Sequence, residues 1–338
     1  MRNMIHGKQE VLQLPSWKIE ISHSIRSPID LVNALSLPLS LLPSIEAAHK
    51  EFPIRVPPSY LAKIEKNNIH DPLLMQVLAI DEELKPAEGY DEDPVGDQAA
   101  EKTPGLLHKY YGRALLTVTG ACGIHCRYCF RRHFDYAASN PAKSHWQKNI
   151  QYLNDDPSIF EIILSGGDPL SLDNNKLAKI INDLETIPHL KILRIHSRQP
   201  IVAPSRIDQE LIQLLTDTRF KCVLVLHCNH PAEIDELTEN YVKQLKLANI
   251  DVLNQSVLLK GINNTVETLE ALSHTLFMAG IQPYYLHTLD KVSGAAHFDV
   301  PESEAITLHE KLQKRLPGYL TPRLVREIEG KPYKTSVR

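Results

Sequence analysis

The sequence predicts an α/β fold in which a partial, TIM-like (β/α)6 barrel follows a helical N-terminal extension. Short apolar runs rich in β-branched residues begin near residue 113, and after the first they recur about every 30 residues, the length of one βα unit. Amphipathic segments fill the gaps between these runs. The predicted strands are 114–118, 160–164, 192–195, 222–226, 252–257 and 284–286, and the predicted helices are 174–185, 207–216, 232–248, 264–279 and 302–315.

Polar residues directly follow several of the predicted strands. Because a parallel barrel carries its chemistry at the carboxyl ends of its strands, we expect these side chains to meet at one end of the molecule. They are Ser165, Gly166, Gly167 and Asp168 after the second strand, Ser197 and Arg198 after the third, His227 after the fourth and Asp290 after the sixth.

Residues 1–104 are predicted to form a mainly helical accessory region, and residues 105–338 the barrel. Helical periodicity covers residues 27–37 and 58–69, with proline-rich joints between them, such as Leu42-Pro43. Residues 82–102 are acidic and contain few large apolar side chains. We therefore expect them to form an exposed loop that leads into the barrel.

Composition is that of a soluble globular protein, with 43% hydrophobic and 23% charged residues. The net charge of −4 argues against a general nucleic-acid-binding protein, which is normally basic. No apolar run approaches the roughly 20 residues needed to cross a bilayer, and residues 1–13 lack the apolar core of a signal peptide. We therefore expect a cytoplasmic protein with neither a nucleic-acid nor a membrane partner.

Three of the five cysteines, Cys122, Cys126 and Cys129, lie within eight residues after the first predicted strand. Thiols stay reduced in the cytoplasm, so clustered cysteines there are more often ligands or redox groups than disulfides. Three thiolates in one loop can hold one face of a cluster and leave a fourth position open. A structural zinc site would normally have four ligands, and His125 or His133 could supply the fourth, so zinc remains an alternative.

The spacing Cys-x3-Cys-x-aromatic-Cys, with Tyr128 as the aromatic, resembles the signature of radical S-adenosylmethionine enzymes, and Gly166-Gly167-Asp168 matches their second motif. The resemblance implies that the three cysteines hold a [4Fe–4S] cluster whose open iron binds S-adenosylmethionine. An electron from an external donor would then allow the cluster to cleave the sulfonium and release a radical. It also implies that Ser165, Gly166, Gly167, Asp168, Ser197, Arg198 and His227 form the side of the site that meets S-adenosylmethionine.

Longer stretches narrow the resemblance over residues 105–335. Residues 227–231 (HCNHP), 254–261 (NQSVLLKG) and 283–285 (PYY), the last followed by Asp290, are similar to lysine 2,3-aminomutases. These enzymes also use pyridoxal phosphate, held by a lysine in a loop that ends in Lys-Thr near the end of the barrel. Lys334 takes that place here, with Lys331 as an alternative, although a lysine this close to the end of the chain could also be a solvated charge.

The same resemblance assigns residues to the substrate. Arg131 matches the arginine that binds the substrate carboxylate, a task that suits a bidentate guanidinium, although a solvent-facing basic pair with Arg132 is the alternative. Asp290 matches one of two acids that hold the distal ammonium of lysine. The second family acid is an aspartate, and the position here is Glu327, which keeps the charge and is longer by a methylene group.

Further matches concern pyridoxal phosphate. Arg113 matches an arginine bound to this cofactor, and Lys109-Tyr110 falls where the family has another cationic residue and a tyrosine. Gln255 matches a residue that lines the cofactor region. Without the resemblance, a histidine such as His227 at a strand end is equally well explained as a hydrogen-bonded core residue.

The resemblance implies an isomerase that converts L-lysine to β-lysine by radical 1,2-amino migration. Catabolic relatives carry a C-terminal, cysteine-bearing, zinc-binding extension, and this sequence has no cysteine after Cys228. Short relatives make (R)-β-lysine, which a partner ligase attaches to elongation factor P, and the resemblance favours this role. The alternatives are a catabolic or biosynthetic lysine 2,3-aminomutase and, in another class, a zinc-stabilised binding module. The family forms homo-oligomers, so we expect self-association.

Overall fold

A computed structural model of the protein describes residues 16–139 and 143–338. Within that part of the chain, one ten-stranded sheet has its strands in chain order. The strands are β1 (Glu101–Thr103), β2 (Leu106–Tyr110), β3 (Arg113–Thr119), β4 (Glu161–Gly166), β5 (Ile192–Ser197), β6 (Lys221–His227), β7 (Asp251–Val257), β8 (Gln282–His287), β9 (Arg323–Arg326) and β10 (Thr335–Ser336). Strands β3 to β9 pair in parallel, whereas β1, β2 and β10 are antiparallel to their neighbours.

Helices follow the parallel strands and also make up much of the N-terminal part. They are α1 (Ser16–Ser22), α2 (Pro28–Ala34), α3 (Leu42–Glu51), α4 (Pro58–Leu61), α5 (Asp97–Ala100), α6 (Lys143–Asp155), α7 (Asn174–Glu185), α8 (Gln199–Val202), α9 (Gln209–Asp217), α10 (Glu236–Leu247), α11 (Val266–Met278) and α12 (Glu302–Arg315). Four of the helices that follow the parallel strands begin after a side chain that accepts a hydrogen bond from the first-turn backbone, which stabilises a helix start. These caps are Asp173, Asp208, Asp235 and Thr265.

The sheet is curved into a partial barrel, as predicted. Along β5, Leu193 and Ile195 are buried in the hydrophobic core that includes residues of α7, while Arg194 and His196 point the other way and line a central cavity. Alternate side chains of a strand face opposite sides of a sheet. Since inward residues of strands β2 to β8 line the same cavity, the inner faces of these strands surround one space. The predicted α/β class and its parallel βα units are therefore confirmed.

The first half of the N-terminal part differs from the prediction in two places. Leu42-Pro43 is the start of α3 rather than a joint, because proline fits the first helical turn, where its missing N–H group needs no partner. The helix predicted over residues 58–69 ends at Leu61. Further along, the carboxylate of Asp71 accepts hydrogen bonds from the backbone N–H of Glu65 and of residues 73–74, so this segment folds as turns.

Residues 82–102 are not the fully exposed loop that their acidity predicts. Glu83 and Asp97 are buried, with 6% and 2% of their surface exposed, because each carboxylate forms ion pairs with two cationic side chains. Leu73 and Leu116 belong to one hydrophobic core, so the N-terminal part packs directly on the barrel. The division at residues 104 and 105 stays a prediction.

In the described part of the chain, no helix combines the length and apolarity needed to cross a membrane. Residues 1–13, for which the sequence predicts no signal peptide, lie outside the described residues.

Candidate active site

A cavity of about 770 Å³ lies inside the barrel. Its volume falls in the upper part of the usual range for ligand sites, about 300–1,000 Å³. Every site residue proposed from the sequence lines it: Tyr110, Arg113, Cys122, Cys126, Cys129, Arg131, Ser165, Gly166, Gly167, Asp168, Ser197, Arg198, His227, Gln255, Asp290, Glu327 and Lys334. Lys331, the alternative to Lys334, is exposed and is not among the lining residues.

The turn after β4 lies directly against the start of the cysteine loop, and glycine permits this contact. A Cβ atom on Gly166, whose φ is +117°, would lie 2.5 Å from the carbonyl oxygen of Thr119. One on Gly167 would lie 2.6 Å from the carbonyl oxygen of Ala121. Both distances are far below van der Waals contact, so any larger residue would push the turn away from the loop.

The three loop cysteines are free thiols on the cavity wall. Burial raises the pKa of Cys122 and raises that of Cys129 to about 11, and repulsion between neighbouring thiolates adds to both shifts. A bound cationic iron–sulfur group would reverse this preference, since metals bind the thiolate form. This donor set of three thiols in one cavity wall fits a [4Fe–4S] cluster with one open iron.

The two histidines considered as a fourth zinc ligand each have one ring nitrogen beside a backbone carbonyl oxygen. His125 places its Nδ1 atom 2.7 Å from the carbonyl oxygen of Pro53 and stacks on Phe52. His133 Nε2 lies 3.2 Å from the carbonyl oxygen of Ser293. Among the described residues, no three histidine, cysteine or acidic side chains are gathered around a single metal position.

Asp168 organises the end of β5. Its carboxylate accepts hydrogen bonds from Ser197 Oγ and from the backbone N–H groups of Leu170, Arg198 and Gln199. Burial raises the pKa of Asp168, and these four donors act in the opposite direction. The second sequence motif therefore fixes the loop that carries Ser197 and Arg198, and its carboxylate is already fully occupied by protein donors.

His227 lies beside the aromatic residue of the cysteine motif. Its ring stacks on Tyr128 at a centroid distance of 5.6 Å, with Nε2 2.9 Å from the tyrosine hydroxyl. Burial and the nearby Arg198 lower the pKa of His227 to about 3. The histidine is therefore neutral at physiological pH.

Five side chains of alternating charge run across the cavity wall from Arg131 to Lys334. Arg131 Nε donates to Asp97 at 2.7 Å, and the other oxygen of Asp97 lies 2.6 Å from Lys109 Nζ. Lys109 also contacts Glu327 at 2.8 Å, and the second oxygen of Glu327 lies 2.7 Å from Lys334 Nζ. We call these five residues the ion chain.

The ion chain controls the ionisation of its two acids. Burial alone would raise the pKa of Asp97, but Arg131 and Lys109 outweigh it and lower the pKa. Burial would also raise the pKa of Glu327, but Lys334 and Lys109 lower it to about 2. Both carboxylates are therefore charged at every physiological pH. Arg131 keeps a further contact to Ser165 Oγ through Nη1, and its Nη2 group has no hydrogen-bond partner among the described residues.

Asp290 is different because no cation pairs with it. Among the described residues its carboxyl forms no ion pair and no hydrogen bond. Burial raises the pKa of Asp290 to about 7, with Lys334 opposing and Glu327 and Asp97 adding to the increase. This half-buried acid in the cavity wall lacks one positive partner.

The part of the cavity wall formed by β4 and β5 contains residues that the sequence analysis did not identify. Arg194 forms an ion pair with Glu161 on the neighbouring strand, and His196 has a buried Nε2 atom without a partner. The alternation of polar and apolar residues in β5 was the sequence signal that could have identified them.

Arg113 lies over the ring of Tyr110, and Gln255 lies on the same cavity wall. This region offers cationic side chains suited to an anionic group such as a phosphate.

Comparison with known proteins agrees with this site. Residues 111–195 match the family model described as a 4Fe-4S single cluster domain. The chain is 46% identical to an L-lysine 2,3-aminomutase of Haemophilus influenzae, covering 95% of both chains, and 44% identical to one of Escherichia coli, covering 94% and 93%. It is 33% identical to an L-lysine 2,3-aminomutase of Clostridium subterminale, covering 95% of this chain and 77% of that one.

These relatives confirm the predicted family, the isomerase class and the iron–sulfur cofactor. Identity of 46% over nearly the whole length of both chains far exceeds what a shared motif would give. The chain belongs to the L-lysine 2,3-aminomutase family.

Proposed function

We propose that the barrel cavity is the site where this isomerase converts L-lysine to β-lysine. The observation that carries the proposal is the arrangement of charge around Lys334. One cavity holds an arginine whose Nη2 group has no hydrogen-bond partner in the described part of the chain, two acids suited to an ammonium, and a lysine beside them. A substrate with one carboxylate and two amines would satisfy all of these groups.

The enzyme uses three cofactors: a [4Fe–4S] cluster, S-adenosylmethionine and pyridoxal phosphate. When bound, the cluster and S-adenosylmethionine supply the radical, and pyridoxal phosphate holds the migrating amino group. Cys122, Cys126 and Cys129 would hold the cluster. Lys334 would form the covalent bond to pyridoxal phosphate, and Arg113 would contact its phosphate.

Arg131 would bind the substrate carboxylate. Its Nε is fixed by Asp97 and its Nη1 by Ser165, so the remaining Nη2 is held in one direction. A guanidinium fixed in this way loses little side-chain freedom when it binds a carboxylate.

Glu327 and Asp290 would bind the distal ammonium. In this structure Glu327 already holds one ammonium, that of Lys334, at 2.7 Å. Once Lys334 is joined to the cofactor, the substrate ammonium can take that position. Asp290 has no cation of its own, so the incoming ammonium would also stabilise its ionised form.

The cavity walls would protect a reactive radical. The lining residues come from the inner faces of the strands, and apolar side chains such as Ile163, Val223 and Leu253 stand between the charged ones. A site enclosed in this way excludes water and stray hydrogen donors.

Anaerobic turnover tests the reaction. The protein is reconstituted with iron and sulfide and given S-adenosylmethionine, pyridoxal phosphate, a reductant and L-lysine, and the products are separated by chromatography. We expect β-lysine to form, and Cys126→Ala to abolish it. Absence of β-lysine from protein that carries the full cluster and bound pyridoxal phosphate would refute the assignment.

We further propose that the product is (R)-β-lysine and that a ligase attaches it to elongation factor P in the cytoplasm. This proposal rests on the family resemblance, supported by the 44–46% identity to the Haemophilus and Escherichia relatives. Deletion of the gene should remove β-lysyl groups from elongation factor P, as measured by mass spectrometry of the intact factor. Unchanged modification would favour a catabolic or biosynthetic role.

The same proposal includes an external electron donor and self-association. A one-electron donor is needed because none of the proposed site residues can reduce a cluster. Light scattering of the loaded enzyme would measure the mass of the assembly, and a single-chain mass would exclude a stable oligomer.

A further inference from the structure

We propose that Arg198 tunes the iron–sulfur cluster by donating a hydrogen bond to the sulfur of Cys126, with Glu233 fixing the orientation of the guanidinium and offsetting part of its charge. The resemblance assigns Arg198 only to the S-adenosylmethionine side of the site. Its side chain instead reaches the cysteine loop, where Nη1 lies 2.7 Å from Cys126 Sγ. This inference rests on the proposed cluster.

Arg198 is the one charged side chain with a hydrogen bond to a sulfur of the cysteine loop among the described residues. It is 6% exposed. Nη1 also donates to the Tyr128 hydroxyl at 2.6 Å, and Nη2 donates to Gln76 Oε1 at 2.7 Å and to Glu233 Oε2 at 2.9 Å. These three acceptors fix the plane of the guanidinium, so Nη1 is directed at the sulfur.

The backbone of Arg198 is fixed as firmly as its side chain. Its N–H donates to Asp168 Oδ2 at 2.7 Å, and Asp168 belongs to the turn that packs against the cysteine loop. The position of the guanidinium relative to Cys126 is therefore set by the Gly166-Gly167-Asp168 turn from one side.

Glu233 holds the guanidinium from the other side. It is completely buried, and its Oε1 atom accepts from the backbone N–H groups of Asn229 and His230. Burial would raise the pKa of Glu233, but Arg198 and these hydrogen bonds lower it, so it is charged. A buried ion pair adds little to stability compared with apolar residues of similar size. The pair is better explained by what it does to Cys126.

The physical effect follows from charge. Reduction adds one negative charge to a cluster bound by thiolates, and a positive donor beside a ligand sulfur stabilises that reduced form. Arg198 should therefore raise the reduction potential, which makes electron transfer from the external donor easier. The negative Glu233 lies on the far side of Arg198 from the sulfur. Its charge should lower the reduction potential and so limit the increase that Arg198 causes.

The test measures the midpoint potential of the loaded enzyme by a redox titration followed by electron paramagnetic resonance. Arg198→Met removes the donor and its charge, and we expect a more negative potential. Glu233→Gln keeps the shape and the acceptor oxygen but removes the charge, and we expect a more positive potential. Arg206→Met serves as the matched control, because Arg206 is also fully buried but bonds to carbonyl groups of residues 170 and 172.

Opposite shifts in the two variants, with the control unchanged, would support the proposal, because loss of a merely structural ion pair gives no reason for opposite signs. An unchanged potential in Arg198→Met, or shifts of the same sign, would overturn it. If Arg198→Met retains no cluster, Glu233→Gln decides alone, since an unchanged or lower potential there also overturns the proposal. Iron and sulfide contents are measured first, and a wild-type protein without a cluster would count against the proposed function instead.

Discussion

Replacing Asp290 with asparagine should make the protein more stable and less able to bind lysine. Within residues 16–139 and 143–338 the carboxyl of Asp290 has no cationic partner, and its pKa is about 7 in the folded protein against an ordinary value of 3.8. A group with a raised pKa in the folded state favours folding only while it is protonated. Stability should therefore fall as pH rises from about 4 to about 7, and asparagine removes this loss.

The size of the effect follows from the same shift. At about 1.4 kcal/mol for each tenfold change in proton affinity, a pKa of about 7 instead of 3.8 costs the folded state up to about 4 kcal/mol above pH 7. At pH 5 the cost is about 2 kcal/mol, and near pH 4 it almost disappears. The stability advantage of Asp290→Asn should grow with pH in this way and become constant above pH 7.

Glu327→Gln provides a matched control, because it should change the stability of the folded protein in the opposite direction. Lys334 and Lys109 lower the pKa of Glu327 to about 2 from 4.5, so its charge stabilises the fold above pH 4.5 and this stabilisation is lost as pH falls through 2. Removing it should cost about 3 kcal/mol at pH 8. Melting temperatures of the wild type and both variants, measured anaerobically from pH 4.5 to 8.5 without lysine, would show the two trends.

Lysine binding supplies the functional half of the test. Below pH 7, wild-type Asp290 must lose a proton before it can hold the ammonium. The Michaelis constant of the wild type for lysine should therefore rise by up to tenfold for each unit that the pH falls below 7. Asp290→Asn should bind lysine weakly and without this dependence. Two results would refute this reasoning: Asp290→Asn is no more stable than the wild type at pH 8, or it binds lysine equally well. Asp290 would then not be an unpaired acid that binds the substrate ammonium.

Three further substitutions, with Lys331→Ala as a control, separate the parts of the site. Asp97→Asn leaves the buried Arg131 and the half-buried Lys109 without their shared anion, so we expect a loss of about 3 kcal/mol in unfolding free energy and a higher Michaelis constant for lysine, measured by denaturation and kinetics. Lys334→Ala should lose the visible absorbance of bound pyridoxal phosphate but keep its iron, whereas Lys331→Ala should keep both. Gly167→Ala places a Cβ atom 2.6 Å from a carbonyl oxygen of the cysteine loop and should lower the iron content without affecting bound pyridoxal phosphate.

The barrel was predictable because its strands are long enough to show a pattern. The five helices predicted after the second strand match α7 and α9 to α12 within a few residues, since apolar periodicity marks all five and a capping side chain begins four of them. Strands β1 and β10 contain three and two residues, which is too short for any alternation to be visible. They form through pairing with β2 and β9, and a sequence pattern does not reveal the partner.

Site residues that belong to a sequence motif were predictable. Residues whose role depends on a contact with a side chain distant in the sequence were not. Asp97 lies in an acidic stretch that predicts solvent exposure. It is buried because Lys109 and Arg131, 12 and 34 residues away, fold against it. Local sequence gives the charge of each residue, but only the fold shows that the three charges are neighbours. The same holds for Arg198, whose contact with Cys126 depends on the return of β5 to the cysteine loop.

The charges around Lys334 also bear on which substrate the cavity accepts. The ion chain carries three cations and two anions, and Asp290 adds a third acid that is only half ionised near pH 7. If Lys334 is joined to pyridoxal phosphate as proposed, its ammonium no longer balances Glu327, and two carboxylates then face the cavity with one nearby cation, Lys109. We propose that a distal ammonium on the substrate restores this balance. A substrate with a neutral or acidic end would leave the two carboxylates facing each other, and such like-charge contact at close range costs several kcal/mol. The cavity would thus select a diamino acid through its need for a cation beside Glu327 and Asp290 as much as through its shape.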